Sequence, residues 1–169
     1  MKMKTREQLK GRMDTRNLTI AAMLTALSII LPMSPLRINL PPFTATVASH
    51  VPAILSMFFN PYVCLATSIG AAIGFSFSTG LWVVVVRAFS HIFFASIGCF
   101  MIKKKVNIWV VFFVTMLIHG ISEVIVALFF GNAFMIIWKT VGVFTMIHHA
   151  IDFVISMVVL KALKTAKVM

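Results

Sequence analysis

The sequence predicts an all-α membrane protein with six transmembrane helices and both termini in the cytoplasm. Three observations carry that prediction. The 169 residues are 60% hydrophobic and only 11% charged, where soluble domains usually carry about a quarter charged residues. A spanning helix needs ~20 mostly apolar residues, so the length accommodates about six spans and leaves no room for a separate soluble module. The Lys and Arg residues gather in three places that a six-span count brings to one side, as the excess of positive charge in cytoplasmic loops requires.

In chain order, residues 1–16 read as a basic cytoplasmic segment, 17–161 as the membrane domain and 162–169 as a cytoplasmic tail. The opening MKMKTREQLKGRMDTRN is longer and more charged than a signal-peptide n-region, and no small-x-small cleavage site follows, so the first helix is expected to be retained. Span one covers about Leu18–Met33 and is broken by Pro32 and Pro35. SPLRINLPPFT (Ser34–Thr44) reads as a Pro-rich loop. Span two is about Ala45–Phe59, short and interrupted by Pro52. Asn60 and Pro61 form a tight turn, with Pro61 suited to the first turn of the next helix. Span three is about Tyr62–Phe77, where Gly70 and Gly74 have the small-xxx-small spacing that lets helices approach closely. Ser78–Gly80 turns the chain. Span four is about Leu81–Ile102, ended by Lys103–Lys105. Span five is about Ile108–Phe130, stopped by Gly131 and Asn132. AFMIIWKT reads as an interfacial connection anchored by Trp138 and Lys139, and span six is about Val141–Leu160.

The charges support this order. Lys2, Lys4, Arg6, Lys10, Arg12 and Arg16 precede span one, Lys103–Lys105 follow span four, and Lys161, Lys164 and Lys167 follow span six. All three groups fall on the cytosolic side. The net charge of +11 is therefore explained by membrane orientation rather than by nucleic-acid binding. Arg37 and Lys139 are left on the outer side, and Arg87 lies inside a span. Cys64 and Cys99 both sit in apolar runs and read as packing residues.

A charge near the bilayer centre costs at least ~2.5–3.5 kcal/mol on insertion scales, so such residues face protein or a wet cavity. At 1.5 Å per residue, His50 lies ~8 Å, Arg87 ~9 Å, Glu123 ~11 Å and His148 ~11 Å from the outer ends of their spans. His91, His119 and Asp152 lie one turn deeper, at ~15–17 Å. Four helices thus bring polar groups to the outer half of the bilayer, while the inner halves carry almost no charge. That pattern describes a pocket open to the outside and closed at the cytosolic end. The bland alternative is internal pairing: Arg87 with Glu123, His119 with Glu123, and His148 with Asp152. His149 points elsewhere and reads as packing.

The chemistry narrows the function. There is no H-E-x-x-H motif, no activated nucleophile and no phosphate-binding loop, so an enzyme is not expected, nor a metal or cofactor. His119 with Glu123, and His148 with Asp152, offer two ligands each, but no spacing is diagnostic of a metal. A fixed guanidinium suits a carboxylate, histidines add donors, and Trp82, Trp138 and the phenylalanines supply apolar wall. The candidate substrate-binding residues are Arg87, His91, His50, His119, Glu123, His148, Trp138 and Lys139. Six helices with a closed inner end are small for a self-sufficient transporter, so a partner is implied.

In length, span count and orientation the chain resembles the substrate-binding S components of energy-coupling factor (ECF) vitamin transporters. AAMLTA in span one supplies Ala22 and Ala26, which match that family's A-x-x-x-A motif for docking on the transmembrane coupling protein. LPPFTATVASHVPAILSMFFNPYV and VVVVRAFSHIFFASIG look like the pantothenate and niacin S components. The resemblance implies a high-affinity vitamin-binding subunit of an ECF-type importer in a prokaryotic plasma membrane. Its partners would be the coupling protein and two ATPases that reorient the bundle. Pantothenate is the first expectation. Niacin, or a neutral precursor such as pyridoxine or hydroxymethylpyrimidine, is the alternative, and a structural membrane protein is the alternative class. The cobalt and nickel members carry an N-terminal metal-binding histidine; MKMKTR lacks one.

Overall fold

A computed structural model describes residues 15–40, 43–131 and 134–166. Most of the basic amino-terminal segment, Lys167 and Asn132 lie outside the described residues. Helix α1 runs Thr15–Ile30 and tightens into a 3-10 turn at Leu31–Met33, where Pro32 sits in the first turn.

The next stretch departs from expectation twice. The predicted Pro-rich loop contains an antiparallel pair, β1 (Arg37–Leu40) and β2 (Phe43–Thr46), with Arg37 opposite Thr46. Arg37 fastens it by donating to the carbonyls of Ser78 (2.8 Å) and Pro32 (3.3 Å). The predicted second span, Ala45–Phe59, is not a continuous helix. It begins in β2, turns through Ala48 at a φ of 67°, and forms only a short helix, α2 (Val51–Ser56). Pro52 falls in the first turn of α2, where its missing N–H interrupts nothing. The proline that reads as a break in a long helix is therefore the start of a short one.

Helix α3 (Pro61–Thr79) contains the predicted third span and runs two residues beyond it, through Ser78 and Thr79. Asn60 Oδ1 accepts from the backbone N–H groups of Tyr62 (2.9 Å) and Val63 (3.0 Å), satisfying donors that a helix start leaves orphaned. Gly80 closes the other end in the left-handed region, at φ 64°. Gly70 and Gly74 press against α1. A Cβ on Gly74 would stand 2.5 Å from Ile29 O, and one on Gly70 would stand 2.8 Å from Thr25 Cγ2. The small-xxx-small reading thus identifies a real close approach.

The predicted fourth span is two helices, α4 (Trp82–Phe89) and α5 (His91–Lys103), divided at Ser90. Helix α6 (Ile108–Phe129) starts with Asn107 accepting from Trp109 N at 2.9 Å. The expected interfacial connection is instead helical. Helix α7 (Phe134–Ile137) passes through a π turn at Trp138–Gly142 into α8 (Val143–Thr165). Nothing between Phe134 and Val141 stops a helix, since neither Gly nor Pro occurs there.

Five helical stretches among the described residues are long and apolar enough to cross a membrane: Thr15–Met33, Pro61–Thr79, Trp82–Lys103, Ile108–Phe129 and Met135–Thr165. Large apolar side chains such as Leu117, Ile125 and Phe129 are exposed on their outer faces, as lipid contact allows. Inside, Ile54, Met57, Phe94 and Phe153 pack with the free cysteines Cys64 and Cys99, which act as the small packing residues that the sequence suggests.

Candidate functional site

Two breaks in regular structure fall beside each other: the turn from β2 into α2, and the step at Ser90. Irregular backbone at membrane depth is tolerated only where protein buries it or it lines a cavity. His50 stands at the start of α2, and His91 opens α5. Facing them are His119 and Glu123 of α6, one turn apart, and Thr145, His148, His149 and Asp152 of α8.

Arg87 is 3% exposed and Glu123 5%. Arg87 donates to one carboxylate oxygen, Glu123 Oε2, from Nη2 at 2.6 Å and from Nε at 3.2 Å. Thr145 Oγ1 donates to the same oxygen at 2.6 Å. The other oxygen, Oε1, faces His119 Nε2 at 3.4 Å. The internal pairing of Arg87 with Glu123 is thus present, and these two bonds converge on a single oxygen.

Asp152 closes the second polar group. Its Oδ1 accepts from Ala48 N and its Oδ2 from His50 N, both at 2.9 Å. His50 Nδ1 (3.2 Å) and His148 Nε2 (3.1 Å) flank Oδ2. This carboxylate holds the strained turn at Ala48 against α8. It therefore positions His50, a part that span-by-span reading does not assign.

All five histidines of the chain meet here. The rings of His91, His119 and His148 lie 4.7, 4.5 and 4.4 Å from that of His50, centroid to centroid, each nearly edge-on. His149, expected to be packing, belongs to the group. Its Nδ1 is 3.1 Å from His119 Nδ1, and its Nε2 is 3.3 Å from Thr115 Oγ1.

Beside the cluster lies a small cavity, with about 20 Å³ of room for the centres of water-sized spheres. Arg87, His91, His50, Glu123 and His148 line it, together with Phe43, Thr44, Phe75 and Thr145. Of the predicted substrate-binding residues, His119 lies one layer behind and is fully buried. Trp138 and Lys139 are not brought to the cavity. Trp138 packs against Val124, Ala127, Ile137 and Val141, and Lys139 is exposed, because the stretch that carries them continues the last helix. The sequence reading missed Thr145, although it shares a helical face with His148 and Asp152. It also missed Thr44 and Phe43, which no periodicity marks, because the hairpin that brings them in was itself unforeseen. Thr44 Oγ1 is buried and makes no hydrogen bond.

Ala22 and Ala26 sit one turn apart on the exposed face of α1, with Met23 and Leu27 exposed beside them. An apolar groove of about 200 Å³ runs alongside, lined in part by Leu24, Leu55, Phe59 and Val159.

The chain is 34% identical over 128 residues to the niacin transporter NiaX of Lactococcus lactis subsp. cremoris (strain MG1363). The match covers 70% of this chain and 58% of that protein, so the chain spans a little over half of its relative's length. No family model and no solved structure matches. Five apolar helical stretches and this match agree: the chain is a multi-pass protein of the cell membrane and is similar to a niacin transporter.

Proposed function

We propose that the chain is the substrate-binding subunit of an ECF-type importer and that its guest is niacin. The cavity where Arg87, His91 and His148 meet Phe43 and Phe75 carries this reading. It offers a guanidinium and imidazoles to a carboxylate, and aromatic walls to a flat ring. Thr44 Oγ1 adds a polar group with no internal partner. Niacin replaces pantothenate as the first choice because the relative is described as a niacin transporter. Niacin's compact pyridine carboxylate also suits a small cavity better than pantothenate's long polar chain.

The cavity holds about one water-sized sphere at 20 Å³, so admitting a ring requires the hairpin carrying Phe43 and Thr44 to give way. Six membrane crossings, with the hairpin and α2 as the second, and cytoplasmic termini complete the reading and leave the cavity on the outer side. Energy would come from partners. The Ala22–Ala26 strip is the surface for the coupling protein, since two small residues one turn apart let another helix approach closely, and two ATPase subunits would drive reorientation. The chain itself would catalyse nothing.

The Arg87–Glu123 pair also suits a purely structural protein. A competition panel separates the readings. Purified protein should bind labelled nicotinate saturably, with unlabelled nicotinate displacing it and pantothenate, pyridoxine and hydroxymethylpyrimidine failing to do so. Displacement by pantothenate would restore the first expectation, and the absence of any saturable vitamin would favour the structural protein.

A further inference from the structure

Carboxylate binding leaves three features of the histidine cluster without a purpose. The first is a set of orphaned ring nitrogens. His50 Nδ1, His91 Nδ1 and His119 Nε2 are buried and make no hydrogen bond. His50 Nδ1 is near Asp152 and His119 Nε2 is near Glu123, at 3.2 and 3.4 Å, but neither approach is aligned for one. One ring nitrogen from each of these three histidines lies within 4.8 Å of the others.

The second feature is the direction of a hydrogen-bond chain. Thr115 Oγ1 donates to Val111 O at 2.8 Å, so its oxygen accepts from His149 Nε2 at 3.3 Å. In a neutral His149, Nδ1 then carries no proton and accepts from a neutral His119 through Nδ1 at 3.1 Å. That leaves His119 Nε2 as a bare lone pair turned toward Glu123 Oε1. Two acceptors face each other there, an arrangement that asks for a positive charge between or beside them, either a proton on the ring or a metal ion.

The third is charge. With neutral imidazoles, the cluster places two carboxylates, Glu123 and Asp152, against one guanidinium, Arg87, all three buried. An uncompensated charge in so dry a setting is costly.

We infer that His50, His91 and His119 form a binding site for a divalent transition metal of the zinc type. Imidazole nitrogens suit zinc, cobalt and nickel. A tetrahedral ion with metal–nitrogen distances of ~2.0–2.1 Å holds its ligands about 3.4 Å apart, so the three rings need to draw in by roughly 1 Å. His149 acts from behind, holding the far nitrogen of His119 as metal-bound histidines usually are held. A second grouping, His50 with His148 and Asp152, is also close enough, but Asp152 is already committed to the backbone N–H groups of Ala48 and His50. His50 and His91 line the cavity, so a fourth ligand reaches the ion from that side. Sequence spacing predicts no metal because the three ligands come from three separate segments. The site does not depend on the niacin reading, and its test uses metal alone.

Full-length protein, purified with a histidine-free tag and stripped with chelator, is titrated with Co²⁺. Visible ligand-field absorption reports the site, and mass spectrometry counts bound metal. The expected result is one Co²⁺ per chain, displaced by Zn²⁺. It should be lost in His91→Gln and His119→Gln and kept in His148→Gln. Thr115→Val, which cuts the chain behind His119, should weaken it about 10–100-fold. The wild-type stoichiometry stands even if a ligand variant fails to fold. No metal uptake by the wild type, or uptake unchanged in folded His91→Gln and His119→Gln, overturns the site. So does loss in His148→Gln with retention in His91→Gln.

Discussion

Where α1 meets α3, two backbones touch. Gly70 and Gly74 bring α3 against Thr25 and Ile29, and the space that a single methyl group would need at Gly74 is already taken by Ile29 O. Where α4, α6, α8 and the start of α2 meet, the contact is made by charged and polar side chains: Arg87, Thr145 and Glu123 in one group, His50, His148 and Asp152 in the other. Both regions are buried, but they fail in different ways. The seam is sensitive to added volume and indifferent to charge. The polar region is sensitive to removal of one partner, because the remaining charge has no water to return to. A bundle that needed only to stand in lipid could be built from seams alone, so the polar region is where a function is expected.

The largest effect should come from splitting the ion pair. Glu123→Ala strands Arg87, and loss of one member of a buried pair typically costs about 3–5 kcal/mol. Thermal unfolding in detergent should show a drop deep enough to lower yield. Neutralising both members, Arg87→Gln with Glu123→Gln, should recover most of that loss. If the double variant is no more stable than Glu123→Ala, the two side chains are not coupled as their geometry implies. Asp152→Ala comes next. It leaves the N–H groups of Ala48 and His50 without their acceptor, at about 1–3 kcal/mol for a buried donor, and it should loosen the turn enough to speed amide exchange at those two residues.

On the seam, Gly74→Ala should cost about 1–3 kcal/mol through overpacking. Gly70→Ala should cost less, since the first atom its methyl meets is the end of a threonine side chain. Equal effects at the two positions would mean that α1 shifts as a rigid body to accommodate either. The smallest change in stability should come from Ala22→Leu with Ala26→Leu. Both positions are exposed, and surface substitutions usually stay within about 0.5 kcal/mol. On the proposed function, this variant keeps nicotinate binding and loses association with the coupling protein in a pull-down.

The two regions also differ in how far they could be read in advance. The seam was legible because Gly-x-x-x-Gly is a local signal: residues four apart must share a helical face. The polar region was legible only within each helix. Arg87 with His91, His119 with Glu123, and His148 with Asp152 all follow from one-turn spacing, and the cluster indeed uses those faces. What no spacing carries is the contact between helices. Whether Arg87 meets Glu123 or solvent, or whether His149 turns inward to His119, depends on how α6 and α8 rotate against each other. The second span failed for a different reason. Its apolar residues satisfy a hydropathy count, but Pro41 and Pro42 precede a β-branched, alternating stretch, and Pro52 serves equally well to start a short helix or to break a long one. Periodicity over so few residues cannot separate strand from helix. Trp138 and Lys139 carry only a compositional signal, and composition does not distinguish an interfacial loop from a widened turn within a helix.

The central claim is that the Arg87 group receives a guest and does not merely brace the bundle. Equilibrium binding of labelled nicotinate, measured in parallel on the wild type and on the folded fraction of the Arg87→Gln, Glu123→Gln double variant, addresses it most directly. The account predicts saturable binding of one nicotinate per wild-type chain and none to the double variant at matched folded concentration. Equal binding to both proteins, or none to either, would contradict it.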